Sequence, residues 1–326
     1  MKTRSKLSSK LALIIVACAM GSTIASAQTS KPDCVRAGEL GFGASDTSHA
    51  DPSAVKFFSS YFTAKSRQQV DATMSHFRRD MLTYADTTLG WDTSTFAAER
   101  EIFATYMPKW GKGRSYPTRI IGGPQSAIVE FTDTPELFGG ELRIVGAVDL
   151  KDGKILRWAD YWDSTTYDDV AFQKILTPKD HFPTSYREDK VGDNASELIE
   201  KTAKAFHAAL ASGDAAAASE MLTYDAVYED AVLHLQIVGR SGIQRYLSRI
   251  LSAAPFGQGS TLRHVVGGDL GGGFEWAAAA SSPVRVGITS LTLDPKGRIS
   301  RVAMMYDGRD IPRAAREHLV VLSMDK

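Results

Sequence analysis

The stretch Lys151-Asp-Gly153-Lys-Ile155-Leu-Arg157 recurs 144 residues later as Pro295-Lys-Gly297-Arg-Ile299-Ser-Arg301. In both stretches a residue pair ending in glycine separates two β-prone runs, a pattern typical of a β-hairpin. The same offset relates Tyr84-Ala-Asp86 to Tyr228-Glu-Asp230. Anchors that keep one offset over so long a distance predict two tandem copies of one domain.

Each copy is predicted to begin with amphipathic helices and to end with a run of strands. In the first helix Phe57, Phe58, Tyr61 and Phe62 share one apolar face. Helices followed by a sheet indicate an α+β fold. We therefore predict two tandem cone-shaped domains, each of about three helices packed on a strongly curved antiparallel sheet. The predicted strands are 118–121, 127–132, 141–150 and 155–163 in the first copy, and 262–266, 274–280, 284–293 and 299–307 in the second.

The amino terminus has the composition of an export signal. Basic residues precede the apolar run Leu11–Met20, and Ala25-Ser-Ala27 is a small-residue cleavage site. Ile15-Val-Ala-Cys18 also resembles a lipobox, which would make the protein a lipoprotein through Cys18. Either alternative predicts a periplasmic or secreted bacterial protein. The predicted organisation is a signal peptide over 1–27, a leader over 28–50, a first domain over 51–167, a linker over 168–194 and a second domain over 195–326.

Composition excludes several classes of partner. The chain has 326 residues, of which 38 are basic and 38 acidic, and it has no basic cluster beyond the signal, which argues against nucleic acid. No apolar run reaches the roughly 18 residues that a transmembrane segment needs. The histidines lack metal-site spacing, so no metal and no cofactor are expected. The expected partner is a small hydrophobic molecule. The two copies are expected to pack as an intramolecular pseudo-dimer, and a further homo-oligomer stays open.

The last strand of the first copy carries the strongest catalytic candidate. Alternation places Trp158, Asp160 and Trp162 on one face. A carboxylate between two aromatic rings loses solvation, so its pKa should rise towards that of a useful general base. The second copy has Met304 at the position of Asp160, which predicts that only the first copy keeps the full chemistry. The alternative is that Asp160 faces solvent or pairs with an arginine.

Tyr84 and Asp86 share one face of a short strand by the same alternation. If Asp86 approaches Asp160, the two carboxylates could share a proton. Tyr84 would then donate a hydrogen bond to the oxygen that gains charge. Alternatively, Tyr84 and its counterpart Tyr228 are core tyrosines.

Three stretches carry a resemblance to a known family: Leu222-Thr-Tyr-Asp-Ala-Val-Tyr-Glu-Asp230, the following Gly239-Arg240, and Trp158-Ala-Asp-Tyr-Trp-Asp163. With the order of helices and strands, they resemble the nuclear-transport-factor-2-like superfamily, and within it the SnoaL-like and limonene-epoxide-hydrolase-like branches. The resemblance covers nearly all of 51–168 and 195–312. It implies a cone with an apolar cavity, which hosts several unrelated reactions.

The epoxide-hydrolase branch implies roles for individual positions. Its aspartate that activates water matches Asp160, and its tyrosine and asparagine match Tyr84 and Asp86. Its middle strand also carries an arginine and a second aspartate, whereas this chain offers Glu130 and Asp133 and no arginine. Epoxide hydrolysis is therefore less favoured than proton transfer. In the second copy, a SnoaL-like cone could use His264 for acid–base work, but a lone histidine on a strand is also often just packed.

We therefore predict an exported, cofactor-free acid–base enzyme of the isomerase, dehydratase (lyase) or hydratase type. It would act on a small hydrophobic molecule in the cavity of the first domain, with Asp160 as the base, Asp86 as its partner acid and Tyr84 as the hydrogen-bond donor. The alternatives are a non-catalytic periplasmic binding protein, an epoxide hydrolase and a structural protein. The residues predicted to bind substrate are Trp158, Trp162, Glu130, Tyr228, Asp230 and His264.

Overall fold

A computed structural model describes residues 45–324 of the chain. The predicted signal peptide, Cys18 and residues 28–44 of the predicted leader lie outside the described residues. Export and lipidation therefore stay predictions. No helix between residues 45 and 324 is long and apolar enough to cross a membrane.

The first sheet has seven strands in the order β1-β4-β5-β6-β7-β2-β3. Its strands are β1 (Asp46–Ala50), β2 (Thr83–Asp86), β3 (Trp91–Thr93), β4 (Ser115–Gly122), β5 (Ser126–Asp133), β6 (Leu142–Lys151) and β7 (Lys154–Trp162). The accompanying helices are α1 (Pro52–Ser66), α2 (Val70–Met74), α3 (Phe96–Tyr106) and α4 (Pro135–Phe138).

The second sheet has six strands in the matching order β10-β11-β12-β13-β8-β9. After α5 (Asp169–Ile175) come α6 (Glu197–Ser212), α7 (Ala215–Glu220), α8 (Arg240–Ile250) and α9 (Arg313–Val321). The strands are β8 (Leu222–Asp230), β9 (Leu235–Val238), β10 (Thr261–Gly268), β11 (Gly271–Ala277), β12 (Val286–Leu293) and β13 (Ile299–Tyr306). The predicted α+β class is thus confirmed, with two sheets and several helices.

The repeated stretches 151–157 and 295–301 form hairpin turns, as predicted. Asp152 and Gly153 both have positive φ, at 53° and 70°, between β6 and β7. Gly297 has a φ of 76° between β12 and β13. Glycine adopts this left-handed region without steric cost, which explains its place in both turns.

The prediction of antiparallel sheets is confirmed for most strand pairs and is wrong for three of them. β2 pairs parallel with β7, β8 pairs parallel with β13, and β1 pairs parallel with β4. The physical reason is the connection, because only antiparallel neighbours can be joined by a tight hairpin. β2 and β7 are separated along the chain by the four strands β3 to β6 and the helices α3 and α4, so they meet through a long crossover.

Each sheet has an inner face, which packs on the helices of its own domain, and an outer face. On β7 the inner face carries Trp158, within a core shared with Phe58 and Phe62 of α1. Ala159 and Tyr161 point to the outer face and belong to the core cluster of the second domain. The alternation predicted for this strand is therefore confirmed, and both of its faces are buried.

The outer faces of the two sheets contact each other through reciprocal hydrogen bonds. The Gly308 amide donates to Asp163 Oδ1 at 3.0 Å, and the Ser164 amide donates to Asp307 Oδ1 at 3.1 Å. Each aspartate thus caps the chain that follows the last strand of the other domain. The outer faces are consequently occupied by the contact between the domains.

The segment predicted as a linker is packed against both domains. It contains α5 and short 3₁₀ turns at Lys179–His181 and Glu188–Lys190. Phe172 and Tyr186 within it are buried. The five residues of β1 fall at the end of the predicted leader, where they extend the first sheet beyond β4.

Candidate functional site

Asp160 lies on the inner face of β7 and is only 6% exposed. Its carboxylate accepts a hydrogen bond from the Tyr84 hydroxyl at 2.9 Å and another from Trp158 Nε1 at 2.5 Å. Tyr84 is available because β2 pairs with β7 in register, which sets Tyr84 opposite Trp158 and Asp86 opposite Asp160. The structure thus brings the predicted base and its predicted hydrogen-bond donor together.

The surroundings of Asp160 change its acidity. Burial raises the pKa of Asp160 to about 7, because the ionised form loses its hydration. The positive charge of Lys65 and the hydrogen bonds from Trp158 and Tyr84 act in the opposite direction, while the charge of Asp86 adds to the rise. A carboxyl group with such a pKa can both take and return a proton near neutral pH.

Two further charged side chains of this interior were missed by sequence reasoning. Lys65 on α1 is 3% exposed, and its Nζ lies 3.6 Å from Asp133 Oδ1 and 5.0 Å from the centre of the Phe131 ring. Glu99 on α3 is 2% exposed, and burial raises its pKa to about 8. The sequence feature that could have indicated them is a charged residue on the apolar face of each helix, because such positions normally carry apolar side chains.

Equivalent places in the second domain are apolar. Counted from the N-cap of each helix, Asp51 for α1 and Ser196 for α6, Lys65 and Leu210 occupy the same position. In the same way Glu99 corresponds to Ile243, through the N-caps of α3 and α8. Met304 pairs with Asp230 as Asp160 pairs with Asp86. The three corresponding pairs are therefore Lys65 and Leu210, Glu99 and Ile243, and Asp160 and Met304.

Asp86 is held by contacts of its own. Oδ1 accepts from the Leu89 amide and Oδ2 accepts from Trp162 Nε1, both at 2.9 Å. Burial raises the pKa of Asp86 to about 6. Within residues 45–324 no hydrogen bond joins Asp86 to Asp160, so the expected shared proton has no direct path here.

The second domain repeats the arrangement around Asp86. Asp230 Oδ1 accepts from the Leu233 amide at 2.9 Å and Oδ2 accepts from the Tyr306 hydroxyl at 3.1 Å. Burial raises the pKa of Asp230 to about 7. Because both domains keep this aspartate, its contacts explain it as a turn-holding residue in each. The hydroxyl of the neighbouring Tyr228 is buried and has no hydrogen-bond partner in the described part of the chain.

The interior beside Asp160 is filled with aromatic side chains. Trp158 is fully buried, and its ring contacts those of Phe58, Tyr61, Phe62, Tyr84 and Phe131. Trp162 is 2% exposed and packs on Tyr167 and Phe172. The space predicted for a ligand next to Trp158 is therefore occupied by side chains.

Glu130, which was predicted to bind substrate, does not face the interior that contains Asp160. Glu130 lies on the outer face of β5, where its carboxylate accepts hydrogen bonds from Arg301 at 2.7 and 3.1 Å. Neighbouring residues of a strand point to opposite faces, so the inner position goes to Val129.

His264 also lies at the contact between the domains. Its Nε2 is 3.0 Å from Asp149 Oδ1, on β6 of the first domain. Burial disfavours the imidazolium, but the hydrogen bond and the charge of Asp149 outweigh it and raise the pKa of His264. Arg157 and Glu275 complete this buried network with two hydrogen bonds of 2.8 Å. His264 is thus paired across the interface, away from both inner faces.

Comparisons with known proteins place limits on the assignment. No family model and no curated protein matches the chain. Solved structures that resemble part of it are described as NTF2-like, as having a cystatin-like fold, or as steroid isomerases. Among the residues that the structure describes, no three His, Cys, Asp or Glu side chains cluster so as to hold a metal ion.

Three of these solved structures illustrate the likeness. A steroid delta-isomerase from Pseudomonas aeruginosa is 17% identical, with a TM-score of 0.32 over 40% of this chain and 93% of its own. An NTF2-like protein of unknown function from Burkholderia xenovorans is 20% identical, with a TM-score of 0.29 over 37% of this chain and 92% of its own. A cystatin-like-fold protein from Silicibacter pomeroyi is 16% identical, with a TM-score of 0.32 over 39% of this chain and 85% of its own.

Proposed function

We propose that this chain is an exported, cofactor-free enzyme that moves a proton on a small hydrophobic molecule within its first domain. The observation that carries the proposal is the buried cluster of the titratable side chains Lys65, Glu99 and Asp160, at whose places the second domain has apolar side chains. Buried charges reduce stability unless they are paired. Their presence in only one of two similar interiors is therefore best explained by chemistry.

Each residue of the cluster has a role in the proposed reaction. Asp160 takes a proton from the substrate and returns it to another atom, which suits isomerisation or elimination more than water delivery. The Tyr84 hydroxyl donates to ionised Asp160. Once Asp160 has taken the proton, the hydroxyl donates instead to the substrate oxygen that gains charge. The positive charge of Lys65, which also pairs with Asp133, favours the ionised form of Asp160. Because Tyr84 is half-buried, we propose that substrate enters beside its ring.

The test compares two aspartate variants of the purified protein. Wild type, Asp160→Asn and the exposed-site control Asp225→Asn are incubated with a small-molecule extract of the source cells in oxygen-18 water. Products are separated by liquid chromatography before mass spectrometry, because an isomer has the mass of its substrate. We expect a new chromatographic peak with wild type and the control, forming about 10²–10⁴-fold more slowly with Asp160→Asn. A product of unchanged mass would indicate isomerisation, loss of the mass of water would indicate elimination, and incorporation of heavy oxygen would indicate hydration. Equal turnover by Asp160→Asn would refute the assignment.

The second candidate is a small-molecule binding protein without turnover. The complete burial of Trp158 favours it, because the interior is filled by side chains when no ligand is bound. An interior that opens only to hold a ligand can do so without any group that reacts with it. Asp160→Asn would then leave ligand affinity nearly unchanged, and the ligand would be recovered chemically intact. Epoxide hydrolysis is less supported, since Glu130 pairs with Arg301 on the outer face.

A further inference from the structure

Two grooves lie between the domains, at corresponding places on the outer faces. The first, which we call the open groove, has a volume of about 500 Å³. The second, the filled groove, retains only about 10 Å³. The open groove is lined by residues including Thr118, Arg143, Ala231, Ala303 and Met305. The filled groove is lined by residues including Thr87, Tyr161, Val284 and Val286.

The segment 182–188 of the chain packs against the filled groove, where the Phe182 ring centre lies 3.7 Å from the Arg285 guanidinium. The Tyr186 carbonyl accepts from Arg157 Nε at 2.7 Å, and the Tyr186 hydroxyl donates to the Thr87 carbonyl at 3.4 Å. The Thr184 carbonyl accepts from Arg263 at 3.0 Å. Tyr186 is fully buried by these contacts. A short stretch that precedes the second domain is therefore sufficient to fill one groove.

The ion pair of the filled groove, which segment 182–188 covers, is less exposed than the ion pair of the open groove. The side chains of Arg157 and Glu275, under segment 182–188, are both 0% exposed. The side chains of Arg301 and Glu130, in the open groove, are 14% and 16% exposed. Both pairs join a last strand to the middle strand of the other domain. The open groove thus presents the same kind of surface without its covering segment.

The chain makes a matching backbone contact where it enters each domain, although a strand, β1, precedes only the first entry. The Asp51 amide donates to the Gly122 carbonyl at 2.8 Å just before α1, and the Ser196 amide donates to the Gly267 carbonyl at 3.1 Å just before α6. Segment 182–188 lies at a fixed distance before Ser196. The stretch at the same distance before Asp51 is Ala37-Gly-Glu-Leu-Gly-Phe-Gly43, which lies outside the described residues.

The described chain also begins beside the open groove. The hydroxyl of Ser45 donates to the Pro117 carbonyl at 2.6 Å. Tyr116 and Thr118, on either side of Pro117, both line the open groove. The described chain therefore begins at the wall of this groove. An extended chain spans about 3.3–3.6 Å per residue, so a segment only a few residues before Ser45 is close enough in sequence to reach across it.

We propose that the open groove is the docking site of residues 37–43 of this same chain, as the filled groove is the site of residues 182–188. Leu40 and Phe42 supply apolar side chains for a surface that includes Ile144, Val145 and Met305. Being tethered through Ser45, the segment acts at a high effective concentration and needs little intrinsic affinity.

Photo-cross-linking in the full-length chain tests this proposal. The variant Phe42→p-benzoyl-phenylalanine is irradiated, and cross-linked peptides are mapped by mass spectrometry. We expect an intramolecular cross-link to β5, β6 or β13, with Met305 among the acceptors. Adding Ala303→Trp, which fills the groove, should abolish the cross-link, and adding the matched control Val238→Trp at an exposed site of the same sheet should preserve it.

A second experiment places the photo-reactive residue in the groove instead of in the segment. Its result does not depend on whether the Ala303→Trp variant folds. With p-benzoyl-phenylalanine in place of the exposed Arg143, the cross-link should reach residues 37–43. Cross-links between two chains would mean that a second copy fills the groove, and cross-links to surfaces outside the groove would mean that the segment binds elsewhere. Either result would overturn the proposal, as would a cross-link from Phe42 that Ala303→Trp leaves undiminished.

Discussion

The interiors of the two domains are built on the same strand order with opposite chemistry. The first interior contains a lysine from α1, a glutamate from α3 and an aspartate from β7, and the second has leucine, isoleucine and methionine at those places. The aspartates common to both, Asp86 and Asp230, hold a backbone amide and an aromatic donor in the same way.

This comparison separates structural carboxylates from the candidate for catalysis. The pKa alone does not do so, because burial raises that of Asp160 and that of Asp230 to about 7 alike. Asp160 differs from Asp230 because the buried side chains of Lys65 and Glu99 lie in the same interior. A repeated group with repeated contacts maintains the fold, whereas a buried charge cluster present in one copy costs stability that its function must justify.

The largest expected effect comes from placing the lysine in the wrong interior. Leu210→Lys sets an ammonium group at a fully buried position where the second domain has apolar side chains. We expect the free energy of unfolding to fall by about 3–5 kcal/mol, as for a buried charge without its partner. Urea unfolding measures this, with Leu210→Met as a control that should cost less than about 1.5 kcal/mol. Equal losses in the two variants would show that the second interior tolerates charge.

A smaller effect is expected in the pH dependence of stability. The pKa of Asp160 is about 7 in the folded chain against an ordinary 3.8, so between these values the unfolded chain releases a proton that the folded chain keeps. The free energy of unfolding should therefore decrease as pH rises from about 4 to 7, and Asp160→Asn should remove on the order of 3 kcal/mol of that decrease.

Chemical unfolding at a series of pH values measures this dependence. Asp230→Asn should remove a similar decrease, because the pKa of Asp230 is also about 7. The exposed Asp225→Asn serves as the control and should leave the pH profile of wild type unchanged. A wild-type profile that coincides with that of Asp160→Asn from pH 4 to 7 would contradict the raised pKa.

The smallest effect concerns the two equivalent tyrosines. The Tyr84 hydroxyl donates to Asp160, whereas the buried Tyr228 hydroxyl has no partner in the described chain. Tyr84→Phe should cost about 1–2 kcal/mol of unfolding free energy, the usual value for a hydrogen bond to a charged or buried group. Tyr228→Phe should be neutral or slightly stabilising. Thermal unfolding of the two variants under identical conditions decides this, and a larger loss for Tyr228→Phe would reverse the comparison.

Part of the site could be read from the sequence because strands have a simple period. Alternation along 157–163 was sufficient to put Trp158, Asp160 and Trp162 on one face. The same rule could not say that the opposite face is buried against another sheet. For this reason Glu130 and His264 were expected near a ligand and instead form ion pairs between the domains.

Lys65 and Glu99 lay beyond sequence reasoning for a different reason. Each is a single charge on a helix stripe, and a charge there usually reaches solvent along its own flexible stem. Whether it can do so depends on how the helix sits on the sheet. Only the packed structure shows these side chains at 3% and 2% exposure beside Asp160.

The sequence by itself determined the α+β class, the hairpins at the two repeated stretches and the position at which the copies differ. These features depend on local periodicity and on turn residues, which act over a few positions of the chain. The tertiary structure alone decided the parallel pairing of β2 with β7, the burial of both faces of β7 and the unequal filling of the two grooves. Such features depend on which distant segments of the chain meet. The sequence pattern predicts that a side chain is buried, but it does not predict which surface buries it.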